Sequence, residues 1–183
     1  MIEVKNKNVR RAVFLDRDGT IMEDHGYLSD PGQVVFLSDT VPALTRLQEY
    51  YDLFIVTNQS GVAKGLITSR DVERVNAHVL SHLGASGVRI VETYVCPHAR
   101  DNGCRCMKPN PYFLQKAEAD YGIDLRLSYV IGDHPHDMEF AENGGAKGIY
   151  VLTGHGTQHR AELRGNAPVA GSIGEAAEII LNS

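Results

Sequence analysis

The sequence predicts a three-layer α/β/α fold wound around a central parallel sheet. Two observations carry that expectation. Short uninterrupted apolar runs of strand length alternate with longer segments whose apolar residues recur at helical spacing, and polar, Gly-containing motifs follow directly on several of those runs. No internal repeat, low-complexity tract or linker divides the chain, so all of residues 1–183 are expected to form one domain.

Taken in order, Ala12 to Leu15 is apolar throughout, as a strand buried on both faces should be. An irregular stretch follows, with a turn signal at Asp30-Pro31-Gly32, and Val34 to Leu37 is expected to be a short extended piece. Asp39 or Thr40 can cap a helix that carries Val41, Leu44 and Leu47 on one face. Leu53 to Val56 reads as a second buried strand. Thr68 or Ser69 caps the next helix, whose predicted apolar stripe is Val72, Val75, Val79, Leu80 and Leu83, and Ile90 to Val95 is a third strand. Pro near the first turn and Gly122 past the end frame a helix over Pro111 to Tyr121. Tyr129 to Ile131 is the next strand, Asp137 to Glu142 a short helix closing at Gly144-Gly145, Ile149 to Leu152 another strand, and Ile173 to Leu181 a final helix.

Composition narrows the function classes. The chain has 183 residues, 43% of them hydrophobic, which suits one layered core. Its formal net charge of -5 provides no overall basic field to hold a nucleic acid by counterion release. The opening MIEVKNKNVRR contains no apolar stretch of signal-peptide length, and no later run approaches membrane-spanning length, so a soluble, cytoplasmic protein that engages neither membrane nor nucleic acid is expected, a monomer by default. The three cysteines, Cys96, Cys104 and Cys106, crowd into one short stretch, which fits a metal site in a reducing compartment better than a disulfide framework.

Four motifs fall at predicted strand ends, where open parallel sheets bind ligands. The first is Asp16-Arg17-Asp18-Gly19-Thr20. Two carboxylates there can divide labour, one attacking phosphorus as a nucleophile beside a hard cation, the other protonating the leaving oxygen and later activating water. The second, Thr57-Asn58-Gln59-Ser60-Gly61, offers a hydroxyl and turn amides to phosphate oxygens. The third is Lys108, followed by Pro109, a cation suited to a transferring phosphoryl group. The fourth, Gly132-Asp133-His134-Pro135-His136-Asp137, brings one or two further carboxylates to an oxygen-rich magnesium site. Each alone has a plain explanation as a turn, a helix cap or a solvated charge. Their joint order, each after a strand, is the informative feature.

That order resembles the haloacid dehalogenase-like (HAD) phosphohydrolase superfamily, over nearly the whole chain from Ala12 to about Leu152. The resemblance implies a Rossmann-like core in which Asp16 forms an aspartyl-phosphate and Asp18 serves as general acid and then base. It also implies that Thr57 and Lys108 hold the phosphoryl group, and that Mg2+ is held by Asp16, the backbone carbonyl of Asp18 and Asp133. Asp137 could ligate, support a ligand or cap the following helix. Between the second and third motifs lies too little chain for a separate cap domain, so the resemblance is to the capless members, with loops choosing the substrate.

Cys96-Pro97-His98 and Cys104-Arg105-Cys106 supply three thiolates and an imidazole, a set suited to a tetrahedral structural Zn2+ in a loop spanning residues 96–106. With four protein ligands the ion would have no open position for chemistry. This loop, Asp24-His25-Gly26-Tyr27 and Gly61-Val62-Ala63-Lys64-Gly65 are similar to those of the heptose bisphosphate phosphatases and the related histidinol-phosphate phosphatases. The substrate implied is a small phosphorylated sugar, a heptose 1,7-bisphosphate first. Candidate substrate contacts are Arg17, Asp24, His25, Tyr27, Thr57, Asn58, Gln59, Lys64 and Arg105. Met107 and His134 stand where that family commonly has Arg and Lys; Arg105 could swing in for the first and a protonated His134 for the second. His78 and His82 fit a solvated helix face, while His155 lies in a loop that could border the pocket and His159 reads as surface.

Rival readings separate on particular residues. A histidinol-phosphate phosphatase would keep the same chemistry. A nucleic-acid 3'-phosphatase conflicts with the acidic charge. A receiver-like module that only stores a phosphoryl group has no use for Asp18, and a zinc-based interaction module has no use for a complete α/β sheet.

Overall fold

A computed structural model describes residues 9–183. Residues 1–8, where the expected lack of a signal-length apolar run largely falls, lie outside the described residues. A six-stranded parallel sheet runs in the order β3-β2-β1-β4-β5-β6. The strands are β1 Ala12–Leu15, β2 Asp52–Asn58, β3 Ile90–Cys96, β4 Tyr129–Gly132, β5 Lys147–Val151 and β6 Val169–Ala170. The helices are α1 Thr40–Leu47, α2 Ser69–Ala85, α3 Tyr112–Tyr121, α4 Pro135–Gly144, α5 Gly156–His159 and α6 Ile173–Leu181. Among the described residues no helix is long and apolar enough to cross a membrane.

Strand alternation divides the core into two layers. Val13, Leu15, Leu53 and Ile55 face a cluster completed by Leu44, Val75, Val79, Ala177 and Ile180 from α1, α2 and α6. Their neighbours Ala12, Phe14, Phe54 and Val56 face the other way, onto Phe113, Leu114, Ala117 and Phe140 from α3 and α4. All four residues of β1 are wholly buried, so this central strand is fixed from both faces. Truncating Phe14, which stacks on Phe54 with ring centroids 5.1 Å apart, should cost about 3–5 kcal/mol on the pattern of large core deletions.

Helix ends largely follow local chemistry. Thr68 and Asp71 form a reciprocal capping box at the start of α2, and Gly122 and Gly145 close α3 and α4 in left-handed conformation. Four expectations change. Asp39 sits at the cap position of α1 without bonding to it; its carboxylate instead accepts the Gly174 N–H of α6 at 2.9 Å, while the Thr40 hydroxyl donates to the Ile21 carbonyl. Leu80 is 39% exposed and leaves the α2 stripe to Val72, Val75, Val79 and Leu83. Of Val34 to Leu37 only Phe36 pairs, in an isolated antiparallel bridge to Met22. β6, which the periodicity does not announce, extends the sheet beyond β5.

The sheet order places the functional end. From β1 the chain adds β2 and β3 on one side, then returns to add β4, β5 and β6 on the other. The crevice between the carboxyl ends of β1 and β4 is therefore the topological switch point, where loops diverge and leave room for a ligand. Between Asn58 and Lys108 lie only α2, β3 and a short 3-10 turn at Arg100–Asn102.

Candidate active site

At that switch point a cleft of about 340 Å³ is lined by residues from the four motifs, among them Asp16, Asp18, Thr57, Lys108, Asp133 and Asp137. Asp16 leaves β1 with its backbone N–H still bonded to the Ile131 carbonyl of β4 at 2.9 Å, so the sheet fixes its position. Lys108 is 5% exposed and its Nζ lies 2.7 Å from Asp16 Oδ1, 2.6 Å from Asp137 Oδ1 and 3.1 Å from the Val56 carbonyl oxygen. Asn58 Oδ1 accepts the Lys108 backbone N–H, which ties the second motif to the third. Asp137 also accepts the His134 N–H at 3.1 Å, so it caps α4 while facing the lysine.

Carboxylates outnumber cations in the site. Asp16, Asp133 and Asp137 bring carboxylate oxygens within 4.8 Å of one another, with Lys108 as the buried counter-charge. Burial pushes the Asp16 carboxyl up to about 6 against the pull of Lys108. Burial, Asp16 and Asp137 together push Asp133 up to about 8. A hard divalent ion with oxygen ligands suits three such carboxylates and would reverse that repulsion. Two glycines keep Asp133 reachable: a Cβ on Gly19 (φ +80°) or on Gly154 (φ +52°) would come within 2.2 Å of Asp133 Oδ2.

This charge balance yields a pH prediction. Both carboxyls have folded values above the ordinary carboxylate value of roughly 4, so without a divalent ion the native state binds more protons than the unfolded state between about 4 and about 8. Stability from these groups is complete below that window and is lost as pH rises through it. The rise in Tm on adding Mg2+ should therefore be larger at pH 8 than at pH 5.5. Equal increments at the two pH values, measured by thermal melts, would contradict the charge balance.

Asp18 lines the same cleft and is held by its own set of partners. Arg17 lies beneath it, wholly buried, pairing with the carboxylate through Nε and Nη2 at 2.9–3.2 Å and reaching Asn76 Oδ1 of α2 at 2.7 Å. Gln59 Nε2 donates to Asp18 Oδ2 and to Thr57 Oγ1, both at 2.8 Å. Burial raises the Asp18 carboxyl and Arg17 opposes it. These partners fix the direction of the Asp18 carboxyl.

Several expected contacts lie elsewhere. Arg17 is not on the cleft wall, because its guanidinium is consumed by Asp18 and Asn76. Arg105 lies 4.5 Å over the Tyr112 ring and does not line the cleft. Lys64 is one step back, its Nζ donating to the Tyr27 hydroxyl at 2.7 Å, and His25 is turned toward Glu23. His134 lines the cleft, but burial and the neighbouring His136 and His159 push it down to about 4, so at neutral pH it carries no charge. Asp24, Tyr27, Thr57, Asn58 and Gln59 do line it. So do Arg100 and His136, which the sequence does not single out, and His155, whose loop is expected to border the pocket. His155 donates its backbone N–H to Asp133 at 2.8 Å and pairs its ring with Asp24 at 3.0 Å.

Beside the cleft, Cys96, His98, Cys104 and Cys106 converge. Their sulfur atoms are 3.2–3.7 Å apart, and His98 Nδ1 is 3.6 Å from the Cys96 sulfur and 3.3 Å from that of Cys106. A tetrahedron with metal–sulfur bonds near 2.3 Å has edges of ~3.8 Å, so this donor set fits Zn2+. The cluster also supports the catalytic turn, since the Cys96 carbonyl accepts the Gln59 N–H at 2.7 Å and the Pro97 carbonyl accepts that of Ala63 at 3.1 Å.

Comparison with known proteins agrees with this geometry. Residues 105–176 match the HAD-hydrolase-like family. The chain is 35% identical over 182 residues to the D-glycero-beta-D-manno-heptose-1,7-bisphosphate 7-phosphatase of Yersinia pestis, covering 94% of this chain and 90% of that one. It is 29% identical over 164 residues to the D-glycero-alpha-D-manno-heptose-1,7-bisphosphate 7-phosphatase of Photorhabdus laumondii, covering 85% and 90%. The crystal structure of D,D-heptose 1,7-bisphosphate phosphatase from B. bronchiseptica, complexed with magnesium and phosphate, superposes with a TM-score of 0.87 at 28% identity, covering 94% of this chain and 98% of that one.

Proposed function

Because the chain belongs to the D-glycero-D-manno-heptose-1,7-bisphosphate 7-phosphatase family of HAD-like hydrolases, we propose that it removes one phosphate from a heptose 1,7-bisphosphate through an aspartyl-phosphate on Asp16. The observation that carries this reading is the meeting of Asp16, Lys108, Asp133 and Asp137 at the switch point, with Asp18 one turn away. Asp16 attacks phosphorus while Asp18 protonates the departing sugar oxygen. Water then enters, Asp18 takes its proton, and the acyl phosphate is hydrolysed to restore Asp16. Lys108, the Thr57 hydroxyl and the Asn58 side chain surround the phosphoryl oxygens. Asp16, Asp133 and the Asp18 carbonyl would hold Mg2+, with Asp137 beside them; when bound, the ion neutralises charge on the phosphoryl group. The B. bronchiseptica structure, which contains magnesium and phosphate, supports that assignment.

Magnesium-dependent phosphate release tests it directly, with both anomers of heptose 1,7-bisphosphate, fructose 1,6-bisphosphate, histidinol phosphate and a 3'-phosphorylated oligonucleotide as substrates. A large preference for one heptose anomer is expected, the β anomer being the first to try given the higher identity to relatives named for it. Preference for histidinol phosphate would keep the chemistry and change the substrate; no release from any member would overturn the catalytic reading.

The two roles of Asp18 can be separated. Asp18→Asn should slow steady turnover of a sugar phosphate about 10²- to 10⁴-fold. With 4-nitrophenyl phosphate, whose leaving group needs no proton, the first step should survive and the second stall. A rapid burst of nitrophenolate, one per enzyme, is the expected trace; steady release at the wild-type rate would remove Asp18 from the mechanism.

A further inference from the structure

The cleft has many carboxylates and few cations. Lys108 is buried against Asp16 and Asp137, and Arg17 is buried against Asp18. Among the described residues, the other Lys or Arg side chain on the wall is Arg100, in the exposed 3-10 turn within the zinc loop. Its partner is an imidazole, not a carboxylate: Nη1 lies 2.8 Å from His136 Nε2.

That contact fixes a chain of hydrogen bonds. A guanidinium has only donors, so His136 Nε2 must accept. The His136 proton is then on Nδ1, which faces His134 Nδ1 at 2.7 Å. His134 Nδ1 must in turn accept, and it also receives the His136 backbone N–H at 3.3 Å. Two donors thus converge on one acceptor, with no frustrated position. Arg100 is anchored through one nitrogen to the first turn of α4, and its other N–H groups remain available to a ligand in the cleft. A planar fork with free donors is the side chain best matched to a phosphate.

We propose that Arg100, aligned by His136 and through it by His134, binds the second phosphate of a bisphosphorylated sugar and sets the preference for such substrates over monoesters. This rests on the reading of the cleft as a sugar-bisphosphate phosphatase site.

The test compares kcat and KM for heptose 1,7-bisphosphate and for 4-nitrophenyl phosphate in the wild type, Arg100→Gln, Arg100→Lys and His136→Ala, with zinc content and Tm measured alongside. Arg100→Gln should raise KM for the bisphosphate about 10- to 100-fold, the loss typical of a charge-assisted pair, and change kcat/KM for 4-nitrophenyl phosphate less than about threefold. Arg100→Lys should keep the charge and lose the fork, giving an intermediate KM. His136→Ala should move KM the same way by a smaller factor. An equal loss on both substrates would overturn the proposal, since Arg100 would then be holding the loop. A wild type that does not favour the bisphosphate over the monoester would overturn it while leaving the phosphatase reading intact. A wild type inactive on every phosphomonoester would defeat the phosphatase reading, and this proposal with it.

Discussion

Asp16→Asn should abolish turnover, by at least about ten-thousandfold, in a protein that remains folded. The substitution is nearly isosteric, and the amide Oδ1 can still accept from Lys108 Nζ, now 2.7 Å from the carboxylate. Removing the charge takes away the proposed nucleophile without opening a cavity. It also removes one of three mutually repelling carboxylates from a buried cluster. The Tm measured without divalent ions should therefore hold or rise, while the increment produced by Mg2+ should shrink. The two readouts separate a chemical role from a structural one. Activity within tenfold of wild type would exclude attack by Asp16, whereas a collapse in Tm with loss of activity would show that the site needs the carboxylate to fold.

Much of this site was legible in the sequence because strand ends fix directions. Asp16 and Asp18 follow a strand buried on both faces, Thr57 closes the next one inward and Asp133 follows β4, so their positions depend on the sheet more than on any loop. Arg17 was misread for the same geometric reason. Lying between two residues aimed at the cleft, it points the opposite way, toward Asn76 of α2, a partner 59 positions along the chain. Loop cations obey no such periodicity. Arg105 is nearer to Lys108 in sequence, yet the turn at Arg100–Asn102 and the stacking of Arg105 on Tyr112 bring Arg100 to the cleft instead. β6 is two residues long and exists because β5 offers an edge, which no local pattern could announce. Asp39 shows the same effect at a helix end: its carboxylate accepts the Gly174 N–H of α6 and none from α1.

Cys104→Ser should yield protein with substoichiometric zinc, a Tm lower by about 5–15 °C and a kcat/KM reduced about 10- to 100-fold. The stability loss follows from opening a cluster that joins the end of β3 at Cys96 to the segment leading into Lys108. Full unfolding is not expected, because Cys96, Cys104 and Cys106 pack into only one of the two core layers, and the layer formed with α1, α2 and α6 contains none of them. The loss of activity follows from what the loop holds. Asn110 Nδ2 donates to the Cys104 carbonyl, and the Cys96 carbonyl accepts the Gln59 N–H, so slack in the cluster reaches both the residues flanking Lys108 and the side chain that orients Asp18. A serine hydroxyl is a poor substitute for a thiolate, and three remaining ligands would leave the ion an open position. Wild-type protein stripped of zinc that keeps its Tm would show that the four side chains stabilise the loop unaided. A lowered Tm with kcat/KM unchanged would confine the cluster to a staple, with Lys108 held by Asp16 and Asp137 alone.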